Sequence, residues 1–416
     1  MTEKDFPALP GGLIMPDQWV LPETSVRRSI RGAIRHVLEQ FQAGMTAEES
    51  PFQSLDDLPE LSASQRRRFA PDPDFSARAL ALQACLQQGP PESTPSRDVA
   101  FIVAPPFSGI REALVRFPVA CAGGESDDGW SVIAPPEQLL MDDSEAAAWW
   151  DKQKLTQPWV IPELANFWRR HLSGLALVRE LLRRIATGQA GRGIVGCSSW
   201  CWQFWESYCP DASMAPRVPA PLNAENLGIW LEHLTGSHNP VPVTARMTND
   251  GLYVLPLAGE VEGKAIKHNG FLRDLAATSR GIPGVALAIW QRALRARPED
   301  DTELDEAAGD EHTGASHSRC WLVPLSQLNL PSMPQSVDRG HGLVLHALLL
   351  HDGLDIPDLT RVTGMSGHEI AHALARLQRA QIVVPGDDAG DWHVTALGYP
   401  SVRRYLQSWG YPVDHF

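Results

Sequence analysis

The feature that most narrows what this chain can become lies between residues 99 and 200, where short apolar runs alternate with stretches of helical spacing. Val99-Ala100-Phe101-Ile102-Val103 is followed by a turn at Pro105-Pro106 and then by Ala113, Leu114 and Phe117 at helical intervals. Next come Trp130-Ser131-Val132-Ile133, the run Trp159-Val160-Ile161, a long helix through Leu172–Ile185, and Gly193-Ile194-Val195-Gly196. Apolar strands separated by helices predict a parallel sheet covered on both faces, so the centre of the chain reads as α/β.

At 416 residues the chain exceeds one ordinary domain of ~150 residues, and two or three units are expected. Its apolar runs fall short of the ~18 residues a membrane span needs. The N-terminus, MTEKDFPALPGG, carries neither a basic nor an apolar export region, so the expected location is cytoplasmic. Six cysteines are too few for a disulfide framework. A net charge of −14 opposes a large non-specific nucleic-acid footprint, though not a local basic site. Fourteen Trp against five Tyr suggests indoles used as core anchors or at interfaces with a wet edge.

The turn after the first strand, Ala104-Pro105-Pro106-Phe107-Ser108-Gly109-Ile110-Arg111, has the length and placement of a phosphate-binding loop of the GxxxxGK[ST] type. In an intact loop, backbone amides and a helix N-terminus cradle the phosphates, Lys reaches the outer phosphates and a hydroxyl binds Mg²⁺. Here Ala104 stands for the first Gly, Ile110 for the Lys and Arg111 for the hydroxyl. Downstream, Trp159-Val160-Ile161-Pro162-Glu163-Leu164 is similar to the strand that ends in the metal-holding Asp and water-activating Glu, with Pro162 replacing the Asp. In the next strand Ser198 or Ser199 takes the place of a polar sensor. Pro221–Asn226 reads as a helix start, and Phe271–Ala286 is similar to a lid of two helices joined by a Gly-x-Pro turn. Its second-sensor position is Gly284, with Arg280 nearby.

Residues 97–295 thus resemble the P-loop core and helical lid of AAA+ and related signal-transduction ATPases. The resemblance implies an ATPase, but the groups at Ile110, Arg111, Pro162 and Gly284 depart from what hydrolysis requires. Phosphoryl transfer is catalysed by positioning and charge stabilisation, and a missing charged group typically costs ~10³-fold or more in rate. Arg111 restores part of the lost charge and the helix beginning near Gly109 still offers amides, which leaves room for weak ATP binding.

Both ends carry further signals. Pro22-Glu23-Thr24-Ser25 starts a helix with Val26, Ile30, Ile34, Val37, Leu38 and Phe41 on one face and Arg27, Arg28, Arg31 and Arg35 on the other, either a solvated face or a contact for phosphates or an acidic partner. Arg66-Arg67-Arg68 is a second basic cluster. Residues 296–317 hold eight acidic residues and too little apolar surface to offset the entropy of ordering, as in a linker. From 341 on, three helices, with Ser366 and Glu369 forming a capping box before the third, precede a hairpin at Ile382–Val384 and Trp392–Val394 and a further helix. This order resembles winged helix-turn-helix domains of bacterial regulators, which implies a third helix carrying Arg376 and Arg379 toward DNA. Five Arg, no Lys and eight acidic residues in this segment, Asp387, Asp388 and Asp391 among them, favour protein contacts instead. His368 and His372 have metal-ligand spacing without a completing partner, and Cys197, Cys201 and Cys209 read as buried structural thiols rather than a zinc or redox site.

The expected division is a helical arm at 1–95, a P-loop core at 96–218, a helical lid at 219–295, an acidic linker and connector at 296–340 and a winged helix at 341–416. The expected function is that of a bacterial, catalytically inactive AAA+-like regulatory or assembly protein docking on a protein partner, with oligomers allowed. No cofactor beyond weak ATP and no metal is expected. The alternatives are a divergent ATPase using Glu163, with Ala104, Ser108, Gly109, Ile110, Arg111, Ser198 and Arg280 around the nucleotide, or a DNA-binding regulator.

Overall fold

In the computed structural model, which describes residues 6–22, 58–87, 98–122, 129–209, 214–237, 243–258, 260–261, 264–265, 267–296, 318–335, 339–386 and 390–416, two compact units interleave along the sequence. The helix expected over Val26–Phe41 with Arg27, Arg28, Arg31 and Arg35, the acidic stretch after Ala296, and Asp387 and Asp388 lie outside the described residues. Among the described residues no helix is long and apolar enough to cross a membrane.

The larger unit draws on Gly11–Trp19, Phe75–Ala220 and Leu330–Phe416. Its first part runs α1 (Phe75–Gln87), β1 (Val99–Ala104), α2 (Ile110–Ala120), β2 (Ser131–Val132), α3 (Asp143–Asp151), β3 (Trp159–Ile161), α4 (Ala176–Ala186), β4 (Gly193–Ser198) and α5 (Ser199–Tyr208). The four strands pair in parallel in the order β1-β4-β3-β2. Beyond β1, Arg217 adds a parallel bridge to Ile102, with Val103 N donating to Arg217 O and Arg217 N to Phe101 O, both at 2.9 Å. β1 and β4 are buried almost throughout, which is why they read as unbroken apolar runs. Gly193 faces Trp159 in the register, and a Cβ there would lie 2.3 Å from the indole. The helix expected from Leu172 begins only at Ala176, after a separate single turn at Leu172–Gly174 whose Gly174 O accepts from Arg169 N at 3.2 Å.

The unit is completed by α6 (Arg339–Leu350), α7 (Ile356–Thr363), α8 (Gly367–Arg379), the antiparallel pair β5 (Val383–Pro385) and β6 (Trp392–Val394), and α9 (Tyr399–Ser408). Gly364 at φ 73° ends α7, and the Ser366–Glu369 capping box starts α8. These elements pack on α5 and on residues 168–170 after β3. Trp200 Nε1 donates to Tyr399 Oη at 3.1 Å, Ser199 Oγ to Asp414, and Gln203 Nε2 to Val413 O at 3.0 Å. Arg403 holds the same Asp414 at 3.0 Å. The His351 ring lies tilted against Trp168 with centroids 4.6 Å apart and accepts from Arg170 N at 3.3 Å, while Arg169 pairs with Asp358 at 2.6 Å.

The smaller unit draws on Met1–Pro10, Val20–Asp74 and Pro221–Asn329. Helices Ala63–Phe69, Ala224–Gly236, Phe271–Thr278 and Pro283–Ala293 accompany a four-stranded sheet ordered Leu294–Arg295, Ser318–Leu322, Val243–Met247, Tyr253–Leu255. The segment expected to be a helical lid therefore also supplies sheet. Its Val243–Met247 alternates buried and half-buried positions, the period-two pattern of a strand. Trp290 is fully buried and its Nε1 donates to Phe69 O at 3.3 Å.

Two outcomes test this packing. Gly193→Ala is expected to destabilise the protein by about 1–3 kcal/mol through overpacking against Trp159, read as a shift in denaturation midpoint. Burial, reinforced by Arg170, holds His346 down at about 4 from an ordinary 6.5, and burial with Arg169 and Arg170 pushes His351 well below its ordinary value. The unfolded chain therefore binds more protons below about 6.5. Stability is expected to fall as pH drops from there toward about 4, by up to ~1.4 kcal/mol per pH unit per histidine. His346→Gln should make that loss shallower in denaturation measured across the window.

Candidate functional site

The carboxyl ends of β1, β3 and β4, together with the loop between β1 and α2, enclose a cavity of about 50 Å³. Open α/β sheets place their ligands outside the carboxyl ends of the strands, so the position is the expected one. Ala104, Ser108, Gly109, Ile110, Arg111, Glu163 and Ser198 all line it. Arg280 belongs to the smaller unit, at φ 58° in the turn between Phe271–Thr278 and Pro283–Ala293. Arg376 and Arg379 sit in the last turn of α8, one half-buried and one exposed, and Arg66–Arg68 close the helix Ala63–Phe69.

The loop is bonded to itself and to its neighbours. Ser108 N donates to Pro105 O at 3.2 Å, and Ile110 N reaches Ser108 Oγ at 3.4 Å. Gly109 caps α2 at φ 76°, and a Cβ there would meet Arg78 Nη1 at 2.4 Å, so both backbone conformation and contact demand glycine. Arg78 donates to Ser108 O from a fully buried position, and burial pushes its guanidinium down to about 10, opposed by Glu112. Phe107, at φ 65°, lays its ring against Tyr399 of α9 at 5.6 Å. Ile110, in the place of a phosphate-binding Lys, is buried in the core.

Arg111 pairs with Asp352, which follows α6 and takes φ 54°. Burial works against the Arg111 cation, but Asp352, Glu163 and Glu112 outweigh it and hold the group above its ordinary value. Burial pushes the Asp352 carboxyl up, against the pull of Arg111. Glu163 is a structural acceptor. Its Oε1 takes hydrogen bonds from Ala165 N and Ser198 N, both at 2.9 Å, capping the turn Leu164–Phe167 and tying β3 to β4. Burial, reinforced by Asp352, pushes its carboxyl up to about 8 despite those bonds and Arg111. Ser198 caps α5 through a 3.4 Å bond from Cys201 N. Cys197 and Cys201 are buried, as the sequence reading expected, and Cys209 is half-buried.

Asp352, Arg78 and Tyr399 are the residues that sequence reasoning missed. Asp352 and Tyr399 come from elements read separately as a terminal module. The strained His351-Asp352-Gly353 turn carries no motif that points back to residue 111. Arg78 left only an indirect sign, the glycine at 109.

No family model matches the sequence, and no curated protein matches it. Among solved structures, the Aeropyrum pernix ORC2 protein, determined as ADPNP–ADP complexes, is similar over 88% of this chain and 99% of its own, at 10% identity and a TM-score of 0.27. A score that low supports no fold assignment, and the site stands on its own geometry.

A pair of variants separates structural from chemical roles for Glu163. Glu163→Ala orphans two buried amides and is expected to lower stability by about 2–5 kcal/mol, while Glu163→Gln keeps the acceptor and costs less than about 1 kcal/mol at neutral pH. Denaturant midpoints of the two variants check this.

Proposed function

We propose that this chain is an AAA+-like protein with a C-terminal winged-helix module that does not turn over ATP and acts as a regulatory or assembly subunit docking on a protein partner. The observation that carries the reading is the closure of the phosphate loop by the chain itself. Arg111 is engaged by Asp352, Phe107 by Tyr399, and the space left is about 50 Å³, against the ~300–1,000 Å³ of ordinary small-molecule sites. The parallel order β1-β4-β3-β2 with Arg217 beside β1 supports a P-loop-type core. The helix order α6-α7-α8 followed by the β5–β6 hairpin supports the winged-helix reading.

Without Lys at 110 or Asp at 162, neither the transferred phosphate nor its magnesium has a charged anchor, and one oxygen of Glu163, Oε1, is taken up by backbone amides. The partner reading draws on exposed Leu80 of α1 and exposed Val115 and Val119 of α2, two helices that pack on each other.

Calorimetry with Mg·ATP and a phosphate-release assay test the proposal. No turnover above background is expected in the full-length protein. Magnesium-dependent turnover that disappears in Glu163→Gln overturns it. The matching positive result is a stoichiometric protein partner that co-purifies without nucleotide and is lost on Val119→Asp.

A further inference from the structure

We propose that Glu163, Cys197 and Cys201 form a binding site for one zinc ion, with two thiolate ligands, one carboxylate ligand and a water in the fourth position. Their ligand atoms lie within 4.8 Å of one another, and all three residues are buried. The sheet produces this grouping directly. Ile161 pairs with Val195, so two residues further along each strand Glu163 comes beside Cys197. Ser198 then caps α5, and the first turn of that helix returns Cys201 to the same spot.

The surroundings suit a metal site rather than a simple apolar filling. Both backbone hydrogen bonds to Glu163 fall on Oε1, which fixes the carboxylate and leaves Oε2 for a ligand. Trp168 Nε1 donates to Cys201 Sγ at 3.2 Å, the kind of outer contact that steadies a metal-bound sulfur. The 50 Å³ cavity bordered by Glu163 and Cys197 exceeds the ~10–15 Å³ a water occupies. Two thiolates and a carboxylate around a divalent cation leave one negative charge, and Arg111, already paired with Asp352, offsets only part of it. Thiolate with carboxylate in a four-coordinate set favours zinc over magnesium or calcium. Binding replaces the protons of Cys197 and Cys201 and, near neutral pH, that of Glu163, all of which leave to solvent, so affinity rises with pH. The site does not depend on whether the loop ever meets a nucleotide.

The test uses the full chain, freed of metal with a chelator, then titrated with Zn²⁺ and, as a coloured probe, with Co²⁺. One equivalent of zinc per chain and a thiolate-to-cobalt charge-transfer band are expected. Cys197→Ser and Cys201→Ser should each weaken binding by more than about 100-fold, and Glu163→Gln by about 10–100-fold. Cys209→Ser and Cys85→Ser should leave it unchanged. Absence of the cobalt band in the wild-type protein overturns the proposal, as does binding that survives both serine variants or a two-dalton mass loss showing the pair as a disulfide. Should the serine variants fail to fold, the wild-type cobalt spectrum alone decides.

Discussion

Parallel pairing of Ala104 with Ser198 and of Ile161 with Val195 brings three strand ends to one edge of the sheet, and each group at that edge takes its role from this register. The loop after β1 and the cap of α5 arrive together because their strands are neighbours. Glu163 can bond Ser198 N because β3 lies on the other side of β4. A slip by one residue would turn the apolar side chains of β4 to the opposite face of the sheet and move Cys197 away from Glu163. Gly193 against Trp159 resists that slip, since other registers would set a bulkier side chain against the indole.

Magnitudes show what keeps the loop closed. The Arg111–Asp352 pair is 44% and 28% exposed at its two side chains, and pairs so exposed contribute about 0–1 kcal/mol. It orients the loop without holding the layers together. The stronger attachment is apolar and buried. Trp168, Trp200 and Tyr399 are almost wholly covered, and burying one large side chain contributes about 1.5–3 kcal/mol. Asp414 is also buried and is satisfied by Ser199 and Arg403, so removal of Arg403 would leave an unpaired charge in the interior and removal of Ser199 would take away one of its hydrogen bonds. Breaking the surface ion pair alone would therefore leave the C-terminal elements seated.

Local patterns were legible in the sequence, and long-range pairings were not. β1, β3 and β4 announce themselves as apolar runs, the start of α2 by Gly109, and α8 by Ser366 and Glu369. Seven loop and strand-end residues named from spacing line one cavity, because the order of elements alone places them there. The strand Val243–Met247 was hidden among residues taken for a helical lid, and its parallel partner Ser318–Leu322 lies beyond the acidic stretch. Asp352 was invisible because nothing about an Asp in a turn indicates an Arg 241 residues earlier. Fourteen indoles suggested both core and interface, and seven of them prove to be among the largest fully buried side chains.

The seam between α5 and residues 399–416 has a consequence for how the chain matures. Ser199 and Asp414 are 215 positions apart, and Trp200 meets Tyr399 across 199. Contacts of such span close late, since the loop entropy must be overcome before they form. During synthesis the sheet would emerge with its Trp-rich flank uncovered, and that flank would stay bare until the far segment leaves the ribosome. A nascent chain of this design is one that a holdase should recognise by its unsheltered indoles.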